Sequence, residues 1–172
     1  MFAFIILHYG GTEDTIKCIE SILTTLSNEE IIIIVVDNNS PNRSGEYLAS
    51  KYSGNKLVKV ILNDTNSGFS KGNNMGCNYA VKNYKPDFLA VINNDTYIKD
   101  PEFIKKTYEL YNREKFDVMG PTIWNTQRDY NQNPIRVTSN LSEINEALDK
   151  TEKAEKLLNS KIPYLYYFYS KF

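Results

Sequence analysis

Four short polar clusters hold the residue types that could do chemistry in this chain. They are His8-Tyr9-Gly10-Gly11, Asp37-Asn38-Asn39-Ser40, the loop Asn63 to Asn74 (with Gly68-Phe69-Ser70-Lys71-Gly72-Asn73-Asn74) and Asn93-Asn94-Asp95-Thr96. Each follows an apolar run that reads as a β-strand. In an open parallel sheet, ligands bind beyond the carboxyl ends of the strands, so the residues just after each strand matter most. Asn, Asp, Ser and Gly are also ordinary turn residues, and one such cluster alone means little. Four at equivalent positions point to a site.

Each cluster has a chemical task open to it. Asp37 can accept hydrogen bonds from a base N–H or from ribose hydroxyls, or it can cap its own turn. Gly68, Gly72 and Gly76 let backbone pass close to a ligand, and Lys71 is placed to meet a phosphate; the alternative is a plain turn with a solvated lysine. Asp95 is the best metal candidate, since a carboxylate at a strand end can hold Mg2+ or Mn2+ against a diphosphate. Asn93 or Asn94 would add a neutral oxygen or orient it, unless the segment is only an Asx-turn. The spacing matches neither a phosphate loop ending in Gly-Lys-Ser/Thr nor the Gly-x-Gly-x-x-Gly of dinucleotide folds, which argues against ATP hydrolysis and hydride transfer. His8 is the one histidine. It follows a buried run, so it lines a pocket or packs structurally rather than serving as a general base. Cys18 and Cys77 read as small core residues, and no Ser-His-Asp arrangement is present.

The elements that must position these clusters alternate along the first half. Phe2 to Leu7 reads as a buried strand, and Thr12 to Leu26 as a helix with Ile16, Ile19, Ile22, Leu23 and Leu26 on one stripe. Thr12 is its expected N-cap, with Glu13 and Asp14 at the positive end. Ile31 to Val36 is six branched apolar residues, as in a strand covered on both faces. Glu46 to Tyr52 predicts a short helix, Leu57 to Leu62 a strand, Lys71 to Tyr84 a helix and Asp87 to Ile92 a fourth strand. Pro101 suits the first turn of a helix reaching about Arg113. Val118 to Trp124, broken by Gly120 and Pro121, is a weak fifth strand. This order predicts an α/β fold: a mostly parallel, Rossmann-like sheet with helices on both faces. Asn125 to Leu141 is polar and aperiodic. Ser142 to Asn159 reads as a charged helix, and Tyr164 to Phe172 carries six aromatics that need covering. The expected division is 1–124 as an α/β binding domain and 125–172 as an appendage.

The 172 residues fit one domain of this kind plus that appendage. Twenty Lys and Arg against 21 Asp and Glu give a net charge of −1, with no overall drive towards nucleic acid. No apolar run approaches a membrane span, and the chain opens on a strand pattern rather than a leader. Two cysteines make neither a disulfide framework nor a zinc site, so a reduced cytoplasmic setting is expected.

Several ordered motifs resemble family 2 glycosyltransferases. They are Ile5-Ile6-Leu7-His8-Tyr9, Glu13-Asp14-Thr15 with Cys18-Ile19-Glu20-Ser21-Ile22, Val35 to Ser40, Asn66 to Asn74, and Leu89 to Thr96. The rhamnosyltransferase-like branch is the nearest match, over roughly residues 3 to 124. The resemblance implies a GT-A fold, a nucleotide-diphosphate sugar donor (UDP- or dTDP-linked) and Mn2+ or Mg2+. By position, His8, Tyr9 and Gly10 would border the base and Asp37 would bind base or ribose, beside Asn39. Gly68, Lys71, Asn73 and Asn74 would close over the nucleotide. Asn94 and Asp95 stand in the family's Asp-x-Asp motif, with Asp95 the metal carboxylate and Asn93 in place of the first acid.

The implied reaction is an inverting displacement at the anomeric carbon, passing the sugar to a saccharide or lipid-linked acceptor for polysaccharide synthesis. A lipid-linked acceptor would bring peripheral contact at the inner membrane face. The family's Glu-Asp type motif, which carries the base, has no counterpart after residue 100, and Glu143 and Glu146 are weak substitutes; the catalytic base is therefore unknown. A fragment, a shortened protein and a subunit that meets an oligomer or partner through its aromatic C-terminus all stay open. The alternative reading is a catalytically incomplete nucleotide-binding module acting with a partner. A phospho-accepting signalling domain is disfavoured, because only Asp37 and Asp95 stand out and no matching lysine follows.

Overall fold

The computed structural model describes residues 1–125 and 130–133. Its elements are β1 (Phe2–His8), α1 (Thr12–Thr25), β2 (Ile31–Asp37), α2 (Ser44–Lys51), β3 (Val58–Leu62), α3 (Phe69–Tyr84), β4 (Phe88–Asn93), α4 (Phe103–Glu114), β5 (Ile123–Asn125) and β6 (Tyr130–Asn133). Strands β1 to β4 form one parallel sheet in the order β3-β2-β1-β4. The branched apolar run of β2 is buried at all seven positions, as befits an inner strand covered on both faces.

Alternation along β1 and β2 sorts the core into two layers. Phe2, Phe4, Ile6, Ile31, Ile33 and Val35 face α1, α2 and α4 through Ile19, Ile22, Leu48 and Ile104. Ala3, Ile5, Ile32, Ile34 and Val36 face α3 through Ala80, Met75 and Cys77. Helices thus cover both sides, as the sequence pattern predicts.

Helix α3 comes close to the sheet at Gly76. A Cβ there would meet Ile5 Cγ2 at 2.6 Å and Val36 Cγ2 at 3.0 Å. Both are stiff β-branched methyls on inner strands, so the neighbours cannot swing away. Alanine gains about 1 kcal/mol of helix propensity over glycine, but overpacking costs about 1–3 kcal/mol and wins. Gly76→Ala is therefore expected to lower stability in a urea melt, and an unchanged midpoint would refute the close approach.

Several boundaries differ from expectation for local physical reasons. Gly11, not Thr12, caps α1, with no side-chain cap, because the chain leaves β1 through a tight turn in which the Thr12 N–H donates to the Gly10 carbonyl. Helix α2 starts at Ser44, two residues before Glu46, where Asn42 Oδ1 accepts from the Ser44 N–H. Helix α3 likewise starts at Phe69 rather than Lys71, and Pro101 lies just ahead of α4. The run Val118 to Trp124 adds no fifth strand to the main sheet. Instead Ile123–Asn125 pairs antiparallel with Tyr130–Asn133 in a separate two-stranded sheet, a strand inside the segment expected to be aperiodic. The chain divides into a compact unit Met1–Glu114 and a second beginning at Lys115. The predicted helix Ser142 to Asn159 and the aromatic segment Tyr164 to Phe172 lie outside the described residues.

Candidate functional site

Strand register decides which polar clusters meet. His8 pairs with Asp37 across β1 and β2, Leu7 with Asn93 across β1 and β4, and Asp37 with Leu62 across β2 and β3, so all four clusters leave the sheet at the same end. Strand order reverses between β1 and β4, where an open α/β sheet has its ligand crevice. The fourth cluster follows β3 and leads into α3.

His8 is fully buried with both ring nitrogens engaged. Nδ1 lies 2.7 Å from Thr15 Oγ1, Nε2 lies 2.7 Å from Ser44 Oγ, and Asp37 Oδ1 is 4.0 Å from Nε2. The Thr15 oxygen also lies 2.9 Å from the Gly11 carbonyl and the Ser44 oxygen 2.6 Å from Asn42 Oδ1; each hydroxyl has one proton, so beside a neutral ring one of the two turns it to the bare ring nitrogen. The ring therefore ties α1 to α2 at the strand ends, with no nitrogen left over for a base. Burial pushes its pKa below the usual 6.5, and nearby Asp37 only partly opposes this. A depressed histidine pKa means the unfolded chain binds a proton that the folded one refuses, so stability falls as pH drops below about 6.5. No other histidine is present to titrate in this range. Thermal melts between about pH 7.5 and 5.5 are expected to show this decline in the wild type and a flat profile in His8→Asn.

Asp37 is also buried, at 4 % exposure. Its carboxylate accepts from the Ser40 N–H and hydroxyl, and the Ser40 hydroxyl in turn accepts from Gly10 N–H at 2.9 Å. It thus caps its own turn and ties β2 to the end of β1. Asn39, with φ +61°, and Tyr9 project from this end, both exposed. Gly10 turns with φ +75°.

The loop after β3 is built on Asn38, whose Oδ1 accepts from Asn63 Nδ2 and Ser67 N–H while its Nδ2 donates to Asn66 Oδ1. Gly68, at φ +82°, caps α3 without a side-chain partner, leaving the helix's positive end open. Lys71 is exposed and Asn74 half-buried. Asn73 is different: it is buried at 6 % exposure, and neither its Oδ1 nor its Nδ2 has a hydrogen-bond partner among the described residues. A buried primary amide without partners costs about 1–3 kcal/mol, so such a group calls for an explanation.

At the end of β4, Asp95 is exposed and Asn94 half-buried. Asn94 Nδ2 donates to Thr15 Oγ1 at 3.1 Å. No group of three His, Cys, Asp or Glu side chains among the described residues could hold a metal by itself. A single accessible carboxylate still suits Mg2+ or Mn2+ when a diphosphate supplies further oxygens, because these hard cations take one or two carboxylates plus phosphate. Cys18 is held as a thiol, its pKa pushed up to about 12 by burial and then by Asp95.

The sheet, its order and this crevice can be compared with known proteins. The family model "Glycosyl transferase family 2" matches residues 4–170, nearly the whole chain. The chain belongs to glycosyl transferase family 2. Among curated relatives of this family, the uncharacterized glycosyltransferase EpsJ of Bacillus subtilis is 29% identical over 142 residues, 82% of this chain and 38% of the relative. Glycosyltransferase GlyG of Streptococcus pneumoniae is 25% identical over 111 residues, 64% of this chain and 35% of that protein. The chain thus spans little more than a third of these relatives' length.

The GT-A fold is shared with solved structures. S. aureus TarS 1-349 in complex with UDP superposes at TM-score 0.55 with 22% identity, over 73% of this chain and 38% of that one. The mannosyltransferase PcManGT from Pyrobaculum calidifontis, in complex with GDP-Man and Mn2+, superposes at 0.52 with 11% identity over 72% and 33%. Among the described residues no helix is long and apolar enough to cross a membrane.

Sequence alone assigns no site role to Ser44, Asn42 or Gly45, and holds Thr15 only within the motif Glu13-Asp14-Thr15. Nothing in their spacing marks them, since their roles come from contacts made in the fold: Ser44 with His8, Thr15 with Asn94, Asn42 with Gly10 and Gly45 with Asp37.

Proposed function

We propose that this glycosyltransferase domain binds a nucleoside-diphosphate sugar in the crevice between the ends of β1 and β4 and transfers the sugar to a saccharide or lipid-linked acceptor. The observation that carries the reading is Asn73. Its amide, buried yet unpartnered, offers one donor group and one acceptor, the complement of a nucleobase edge. The open N-terminus of α3 with Lys71 supplies positive potential beside it. Complexes of fold relatives with UDP and with GDP-Man and Mn2+ support a nucleotide donor here.

Within this reading Tyr9, Gly10 and Asn39 border the base, and His8 and Asp37 hold the wall behind it. Gly68, Lys71, Asn73 and Asn74 cover the nucleotide, and Asn94 and Asp95 face the diphosphate. Asp95 would hold Mn2+ or Mg2+, which when bound offsets charge on the departing diphosphate. The acceptor hydroxyl would attack the anomeric carbon on the face opposite the diphosphate, so that the new C–O bond forms as the sugar–phosphate bond breaks, with inversion. Its proton needs a base that the described residues do not identify. Residues 1–124 are the donor-binding part and 125–172 the acceptor-side part or appendage. The setting is cytoplasmic, with peripheral contact where the acceptor is lipid-linked, and any oligomer or partner meets the aromatic C-terminus.

Calorimetric titration tests the reading. One of UDP, dTDP or GDP is expected to bind with Mn2+ present and to weaken when EDTA removes it. Asn73→Leu should weaken binding about tenfold, the worth of a lost base hydrogen bond or two. Failure of a folded wild-type chain to bind any of the three sinks the proposal.

A further inference from the structure

We propose that Thr15 is a positioning residue that couples the two halves of the donor site, Asp37–Ser44 on one side and Asn94–Asp95 on the other, through His8; this rests on the donor reading above. Thr15 lies in the first turns of α1 and is fully buried, yet its one oxygen meets three partners from different places in the chain. It reaches the Gly11 carbonyl at 2.9 Å, receives the Asn94 amide at 3.1 Å and faces His8 Nδ1 at 2.7 Å. The amide end of Asn94 is the one that must face this spot. It also lies 3.5 Å from the Gly11 carbonyl, which would repel the Asn94 oxygen. Gly11 makes the approach possible, since a Cβ there would stand 3.2 Å from Asn94 Nδ2.

From His8 the contacts run on without a gap. Nε2 meets Ser44 Oγ at 2.7 Å, Ser44 Oγ lies 2.6 Å from Asn42 Oδ1, and Asn42 Nδ2 donates to the Gly10 carbonyl at 3.0 Å. A stiff aromatic ring with two fixed ends thereby sets the distance between the end of β4 and the start of α2. The ring and Thr15 are both fully buried, out of reach of a ligand. Their effect on binding must therefore pass through Asn94 on one side and through Ser44 and the Asp37 turn on the other. Thr15 is shared among three partners; Val at this place would strand His8 Nδ1 and take the Asn94 amide's nearer acceptor, while the Gly11 carbonyl keeps the backbone N–H of residue 15 at 3.1 Å.

His8 is the chain's one histidine, so selective 15N-histidine labelling of the full chain gives a single ring to read. Asn94→Ala is expected to move the Nδ1 resonance and leave Nε2 in place, while Ser44→Ala does the reverse. In a Thr15→Val background the response to Asn94→Ala should vanish, and Thr15→Ser should restore it. Should Thr15→Val not fold, the Asn94→Ala and Ser44→Ala pair reads the same connection, and an unmoved Nδ1 overturns it. For UDP or GDP with Mg2+, Thr15→Val should raise Kd about tenfold and Thr15→Ser less than about twofold. Absence of nucleotide binding by the wild type, with the ring responses intact, overturns the donor reading and not the coupling. Binding that Thr15→Val leaves unchanged, or an Asn94→Ala response that survives it, overturns the coupling and not the donor reading.

Discussion

Asp95→Ala is expected to abolish the metal-dependent part of nucleotide binding, raising Kd with Mn2+ about a hundredfold while leaving the weak binding measured in EDTA unchanged. The expectation follows from the donor set. Asp95 is exposed at the end of β4, and no cluster of three acidic, histidine or cysteine ligands exists among the described residues to take its place. A cation bridging one carboxylate and a diphosphate contributes several kcal/mol, nearly all of it lost with that carboxylate. Asp95→Asn should fall between the two, because a neutral oxygen keeps the geometry but gives up the charge. Parallel titrations with Mn2+ and with EDTA on each variant decide the matter. A loss of equal size under both conditions would mean that Asp95 shapes the crevice rather than holding a cation.

Gly45→Ala carries the largest expected effect on the fold around the site. Gly45 is buried in the first turn of α2, and a Cβ there would overlap the Asp37 carboxylate and stand 2.7 Å from the Asp37 Cβ. Alanine is favoured over glycine in a helix by about 1 kcal/mol, which by itself would stabilise α2. The clash outweighs that gain. Asp37 ends an inner strand with every position buried, and its carboxylate is fastened by the Ser40 N–H and hydroxyl. It cannot turn aside as a surface lysine would, so either α2 lifts away or the Asp37 turn opens. A net loss of about 2–3 kcal/mol is expected in a denaturant melt, together with loss of nucleotide binding. Gly54, where an added Cβ meets nothing within 4 Å, provides the control: Gly54→Ala should change neither. A Gly45→Ala chain as stable as the wild type would show that the helix and Asp37 are not locked together.

Much of this molecule is legible in its sequence because the decisive signals are local. The branched run Ile31 to Val36 announces a doubly covered strand by composition alone, since only a buried inner strand tolerates six such residues in succession. The same holds for β1 and for the stripe of Ile19 and Ile22 on α1. Polar clusters at the ends of apolar runs mark the end of the sheet that carries the candidate site, and their ordered motifs carry the family. Boundaries were less legible where glycine and short polar side chains set a cap, as at Gly11 and Ser44, because several neighbouring residues could serve. The strand Tyr130–Asn133 was invisible, since its polar residues pair without an apolar pattern.

What the sequence determined by itself is therefore the four strands of the parallel sheet with the helices between them, the family, and the end of the sheet where the candidate site lies. Only the tertiary structure decided which side chains share that end and what each one does there. Strand order places Asn94 over Thr15, and register places His8 beside Asp37. Burial then converts His8 from a candidate base contact into a fully bonded spacer and leaves Asn73 as the amide in want of a partner. The physical reason is one of range. Secondary structure follows from periodicity within about ten residues, whereas a hydrogen bond between positions 15 and 94 exists only after four strands have taken their order.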